Sequence, residues 1–245
     1  MTTFLNEITG TLLWNRDARH GPLAPMLVSM TLVTGLVDSF SYLVLGHVFV
    51  ANMTGNVVLL GFALVGAPGF SIGSSLVAIG AFVVGSLAGG RMGSRFGSHR
   101  GRHLGYATAV QAVLLAAGMV LAILSAAPVS SGYRYGLIVV LAVGMGIQNA
   151  TARKLAVPDL TTTVLTLTIT GMAADSAVVG GTGSRAGRRI VAVATMLAGA
   201  VVGAAFIVHH QVGVPLVIAT VVALSVAATA GVLGRSDPAW SHAAT

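Results

Sequence analysis

An all-α, polytopic bundle of membrane-spanning helices is the fold this sequence predicts, and three observations predict it. Of 245 residues, 55% are hydrophobic and only 8% are charged, whereas soluble domains carry roughly 25% charge. Several apolar runs approach the roughly 20 residues a helix needs to cross about 30 Å of hydrocarbon, and the mean hydropathy is +0.91. Lys and Arg fall in short stretches between those runs, which is how topology signals are distributed. The net charge of +7 therefore does not indicate a nucleic-acid partner, because a polyanion needs an exposed basic face. The expected partner is the lipid bilayer. The chain has no cysteine, which excludes disulfides, thiolate metal sites and a Cys nucleophile. Its 32 glycines suit helices that pack closely in lipid.

Residues 1–22 read as a cytoplasmic tail rather than a cleavable leader. Trp14 there is placed to anchor an interfacial helix. The rest, 23–235, reads as a single transmembrane domain, with 236–245 as a second cytoplasmic tail. The first span runs from about Leu23 to Leu45, with Pro22 and Pro25 near its start, where proline is tolerated. A polar stretch around Asn52 follows. The apolar run from Val57 to Val65 is too short to cross by itself and would just span if counted from Phe49. Ser71 to Gly90 is a clear span. Arg91, Arg95, Arg100 and Arg102 form the most basic loop, ahead of a span from Leu104 to Ala127 closed by Pro128. Another span runs from Gly136 to about Ala150. Leu160 to Val179 is threonine-rich and long enough to cross. Ile190 to Val208 and Val212 to Leu233 are the last spans, separated by His209 and His210.

Two halves, 23–127 and 133–233, echo each other weakly. Asp38 precedes Thr54 by about the distance that separates Asn149 from Thr166, and Phe82-Val83-Val84-Gly85 resembles Ala200-Val201-Val202-Gly203. Charge then selects a topology. If every apolar segment crossed, the Arg91–Arg102 stretch would lie opposite both tails, against the positive-inside rule. If the segments after Asn52 and Thr161 dip in and return, about six spans remain, and Arg134 is the only one of 13 Lys and Arg residues facing out. Both termini are then cytoplasmic, and the halves are inverted relative to each other, an arrangement transporters use around broken helices.

Polar groups at depth are the candidate solute or ion contacts, because each is costly unless it faces protein, water or ligand. Asp38 stands well inside the first span and suits a proton or cation coupling role; the plainer reading is a structural carboxylate. Asn52, Thr54 and Asn56 suit a neutral or zwitterionic solute, and Asn and Thr beside Gly are also ordinary helix caps. Gln148 and Asn149 mirror Asp38, while Thr163 and Thr166 mirror the Asn52 cluster. Thr hydroxyls also bond readily to their own helix. Asp175, close to Arg185, reads as a half-buried counter-ion. No metal site is expected at His209, His210 or His47, and no catalytic residue or cofactor is assigned. The sequence lacks a Ser-His-Asp order, HExxH, a Walker motif and a strand-borne GxGxxG, so an enzyme is not expected.

Asp38-Ser39, Gly46 and Phe49-Val50-Ala51-Asn52-Met53-Thr54-Gly55-Asn56-Val57-Val58-Leu59-Leu60-Gly61 resemble the signature of the YoaK family. Gly146-Ile147-Gln148-Asn149-Ala150 with Arg153 resembles its second signature. The likeness extends over about residues 22 to 235. That family is a group of bacterial integral membrane proteins of unknown function, so the resemblance implies a multi-span protein of the plasma membrane. Leu167 stands where the family's threonine element has Gly, which makes a sharp break there less expected. Two functions remain in view. One is a secondary transporter or facilitator for a small solute, proton-coupled through Asp38; the other is an accessory protein that binds a partner or lipid. Either is compatible with a homo-oligomer.

Overall fold

A computed structural model describes residues 2–13, 20–125, 129–176, 179–181, 185–235 and 239–242. Trp14, Arg16, Arg19 and Pro128 lie outside them. Among the described residues the chain is helical: α1 (Thr2–Leu12), α2 (Leu23–Val44), α3 (Met53–Leu64), α4 (Ile72–Phe96), α5 (Arg100–Leu124), α6 (Ser131–Leu155), α7 (Thr166–Ala174), α8 (Ala186–Val208) and α9 (Val214–Leu233). Helices α2, α4, α5, α6, α8 and α9 are each long and apolar enough to cross a membrane. This is a multi-pass membrane protein with six such helices and, among the described residues, three shorter α-helices, α1, α3 and α7.

The helix ends extend past the apolar runs. The most basic stretch is largely not a loop, since α4 continues to Phe96 and α5 begins at Arg100. Arginine is a good helix former whose long side chain reaches water from a helix end. His99 closes the gap by accepting the Arg102 N–H at 3.1 Å as the α5 N-cap. Helix α6 starts at Ser131 rather than near Gly136, and carries Arg153 and Lys154 in its last turn, where the helix dipole favours cations.

The short helices do not cross. At about 1.5 Å per residue, the 12 residues of α3 and the 9 of α7 span about 18 and 14 Å, well under the hydrocarbon thickness. Segment 45–52 turns back into the bundle, and α3 returns to the end where α2 stopped. There His47 Nδ1 is 3.1 Å from the Gly69 carbonyl oxygen, and Phe62 packs edge-on to Phe70. Segment 156–165 repeats the manoeuvre at the other end of the bundle, which collects most of the basic residues. The break there needs no glycine at 167, because Ala156, Asp159 and Thr162 take positive φ values of 49°, 65° and 64°.

Four long helices meet in two matched crossings. Gly35 of α2 sits against the backbone of Met196, Gly199 and Ala200 on α8, while Gly146 of α6 sits against Phe82, Gly85 and Ser86 on α4. A Cβ at any of these glycines would strike backbone, so the axes come as close as only glycine permits. In packing terms Gly85 corresponds to Gly199 and Gly89 to Gly203. The sequence likeness had aligned Gly85 with Gly203, one helical turn away. Helices α5 and α9 pack together and close the bundle. The core runs along α2, from Leu23 through Met30, Leu36 and Phe40, which makes α2 the most enclosed of the long helices.

Candidate functional site

Asp38 and Asn149 occupy equivalent places. Each stands six residues before its helix ends, at Val44 and Leu155 respectively, or about 9 Å in from that end. Each holds the chain that folds back. Asp38 Oδ1 accepts the Ala51 N–H at 3.1 Å. Asn149 Oδ1 accepts the Thr163 hydroxyl at 2.6 Å. Asp38 is buried, and its second backbone partner is Val50.

Asn52 is the N-cap of α3 and accepts the Gly55 N–H at 3.1 Å, which satisfies one of the orphan donors of a helix start. Asn56 is 0% exposed. Its Oδ1 accepts the Phe49 N–H at 2.9 Å and its Nδ2 donates to the Phe49 carbonyl at 2.6 Å. That side chain imitates a paired peptide and fixes the loop. Helices α3 and α7 thus start inside the bundle with their N-termini facing inward, and α7 has no side-chain cap at its start.

Both starts border one cavity of about 710 Å³, which Asn52, Thr54, Asn149, Thr163 and Thr166 line together with Tyr42, Phe82 and Met196. Phe82 and Met196 stand three residues before Gly85 and Gly199, so the two crossings deliver one large side chain each. A neighbouring cavity of about 810 Å³ shares Phe82, Asn149 and Val164, and reaches Arg153 and Lys154 at the basic end. Asp38 touches the first cavity only through Ala51, its bonded partner in the wall.

The other predicted residues lie elsewhere. Gln148 is buried in the core: its Oε1 accepts Gln111 Nε2 at 2.6 Å, and its Nε2 donates to the Met30 carbonyl at 3.1 Å and to Thr34 Oγ1 at 2.9 Å. It braces α2, α5 and α6. Asp175 pairs at 2.9 Å with Arg189 rather than with Arg185. Arg185 reaches Asp159 at 3.8 Å, and Arg189 reaches the same carboxylate at 2.8 Å. This cluster ties the second re-entrant segment to the start of α8. His47 is bound to the Gly69 carbonyl, His209 and His210 are exposed, and no group of residues suited to a metal occurs among the described residues.

Sequence reasoning passed over Gln111, Thr34, Phe82 and Met196. Gln111 and Thr34 carried a readable signal, since each is polar at mid-span. Phe82 and Met196 carried none, being ordinary apolar residues in apolar helices.

The fold and the site define a polytopic membrane protein in which two half-length helices begin at one cavity, lined by apolar side chains and a few amides and hydroxyls. Residues 26–229 match the model of a protein family of unknown function, DUF1275, and the chain belongs to that family. It is 35% identical over 155 residues to the UPF0700 transmembrane protein YoaK of Bacillus subtilis (strain 168), across 61% of this chain and 65% of that protein. The matched stretch thus covers slightly less than two thirds of that relative's length. No solved structure matches the chain.

Proposed function

We propose that the protein is a secondary transporter or facilitator for a small polar solute, with the 710 Å³ cavity as its binding site. One observation carries the reading. Two half-helices, whose segments enter from opposite ends of the bundle, begin at the same cavity and bring Asn52, Thr54, Thr163 and Thr166 to its wall, where Asn149 of α6 joins them. Helix starts at membrane depth offer free N–H groups and a partial positive charge, which favour an oxygen acceptor on the solute. No Lys or Arg is among the lining residues, so a neutral or zwitterionic solute fits better than a multiply charged anion. The matched crossings at Gly35–Gly199 and Gly146–Gly85 support an inverted repeat, the architecture on which alternating access commonly rests.

The orientation follows from charge. With the basic end in the cytoplasm, Arg91, Arg95, Arg100, Arg102, Arg153, Lys154, Arg185, Arg188, Arg189 and Arg235 face inward, and Arg134 faces out, as the positive-inside rule favours. Asp38 would carry the coupled proton, held beside the re-entrant segment that walls the cavity. The accessory-protein reading draws on Asn56 and Gln148, whose polar groups are spent on neighbours within the fold.

The test is counterflow in proteoliposomes with a panel of small neutral and zwitterionic solutes. One chemical class should accumulate, and Asn149→Ala should lower its rate by about tenfold or more, as expected for the loss of one polar solute contact. If no solute exchanges faster than in protein-free vesicles, or if Asn149→Ala and Asn52→Ala both leave exchange unchanged, the cavity is not the site.

A further inference from the structure

The seam between α5 and α6 carries buried polar groups that the cavity does not use. His103 and Gln111 of α5 are 0% exposed, and Thr151 of α6 is 2% exposed. Both ring nitrogens of His103, the Thr151 hydroxyl and Gln111 Oε1 have no hydrogen-bond partner among the described residues. Buried polar groups are rarely left this way, and internal water is their usual partner, about three hydrogen bonds to each molecule.

The helix register orders these groups. Gly144 packs on Gln111 and Leu114, Gln148 bonds to Gln111, and the Leu155 carbonyl accepts from Arg100. In this antiparallel register Thr151 falls beside Ala107, between His103 and Gln111. Those two lie eight residues apart, about 12 Å along the axis, with the small Ala107 between them on the same face. Gln111 then bonds to Gln148, and Gln148 to Thr34. Thr34 is one turn before Asp38 on α2, a step of about 6 Å. His103 lies near the basic end, against Gly93 of α4, and the charge that acts on it is Lys154 of α6. Helix α9, which also packs on α5, has no titratable side chain.

We propose that the α2–α5–α6 seam is a hydrated proton path from the basic end of the bundle to Asp38, with His103 as its first relay. The path rests on the reading of Asp38 as the coupling carboxylate, and adds the route by which its proton leaves or arrives. A proton taken up at one imidazole nitrogen is released from the other, so His103 is neutral again once its tautomer resets. Waters bonded to Thr151 and Gln111 carry the proton onward. Gln148 and Thr34, bonded to each other, wall the path without exchanging protons, and the Asp38 carboxylate becomes a carboxylic acid.

Two measurements on the full chain in liposomes test this. In water-edited solid-state NMR with nitrogen-15 labels, magnetisation should pass from water to the side chains of His103, Gln111 and Gln148; a dry seam overturns the path. In vesicles loaded with a pH-sensitive dye, a potassium diffusion potential should drive proton flux above that of protein-free vesicles. Thr151→Val, which is isosteric and removes a hydroxyl with no partner among the described residues, should cut that flux by about tenfold, as should His103→Gln. Thr151→Ser should restore it. Flux that falls in Asp38→Asn but not in Thr151→Val or His103→Gln overturns the path and leaves Asp38 as the coupling group. Absence of flux in the wild type overturns the path, and solute counterflow then decides the cavity independently.

Discussion

At position 38 the first half of the chain carries a carboxylate, and at position 149 the second half carries an amide. Both stand six residues from a helix end and both grip a segment that folds back. Besides Asp38, neutral side chains hold the first segment. Asn56 clasps Phe49 from both sides and Asn52 caps α3. In the second, Thr168 at the place of Asn56 bonds only to the Val164 carbonyl of its own turn. That segment holds three non-glycine residues at positive φ, against His47 alone in the first, each a conformation that context must enforce. The enforcement comes from Arg189, with Asp159 and Asp175. One re-entrant segment is thus fixed by hydrogen bonds within the bundle, and the other by an ion-pair cluster that is largely buried at Arg189 and Asp159 and exposed at Asp175.

The severest way to break the equivalence of the halves is at the crossings. Gly85→Val and Gly199→Val should each destabilise the bundle by about 3 kcal/mol, because the new side chain meets backbone on the facing helix. Reversible unfolding in mixed micelles measures both, and a harmless Gly199→Val beside a disabling Gly85→Val would end the comparison. Next is the clasp. Asn56→Ala should cost about 2–3 kcal/mol by leaving the buried Phe49 groups unpaired, whereas Thr168→Val should cost under about 1 kcal/mol. Equal losses would mean that the first segment is no more firmly held than the second.

Asp159→Asn should sharpen the contrast at lower cost, about 1 kcal/mol for half-screened ion pairs. Amide exchange over residues 160–168 should then quicken by about fivefold, with exchange over 49–56 unchanged. Acceleration in both segments would contradict their independence. The smallest effect is expected for Asp38→Asn. The amide oxygen still accepts from Ala51, so the unfolding free energy should shift by less than about 1 kcal/mol. A large loss would mean that the charge, and not the acceptor, holds the first loop.

Much of the fold was legible. The Asn52 cap was readable because a cap needs only its own next three residues, and the break after Asp38 because polar residues interrupt an apolar run. Asn149 and Thr163 were legible as mirrors of the first half, though not as partners of each other. The end of α4 was misjudged because Arg91 and Arg95 mark the edge of the hydrocarbon, not the end of the helix. The partner of Asp175 was misjudged by proximity in sequence, since Arg189 lies one turn beyond Arg185 and comes round to the same face.

The sequence by itself determined the membrane habit, the runs that form the long helices and the uneven distribution of charge, while the structure showed that α3 and α7 are too short to cross. The first three depend on composition and on the lengths of local runs. The tertiary structure decided which face of each helix turns inward: that Gln148 braces the core while its neighbour Asn149 reaches the cavity, that Gly85 answers to Gly199, and that His103 and Thr151 share a seam. In water, an apolar stripe opposite a polar face reveals how a helix is rotated. Here the lipid side is as apolar as the core, so the rotation is set by close packing between segments far apart in the chain.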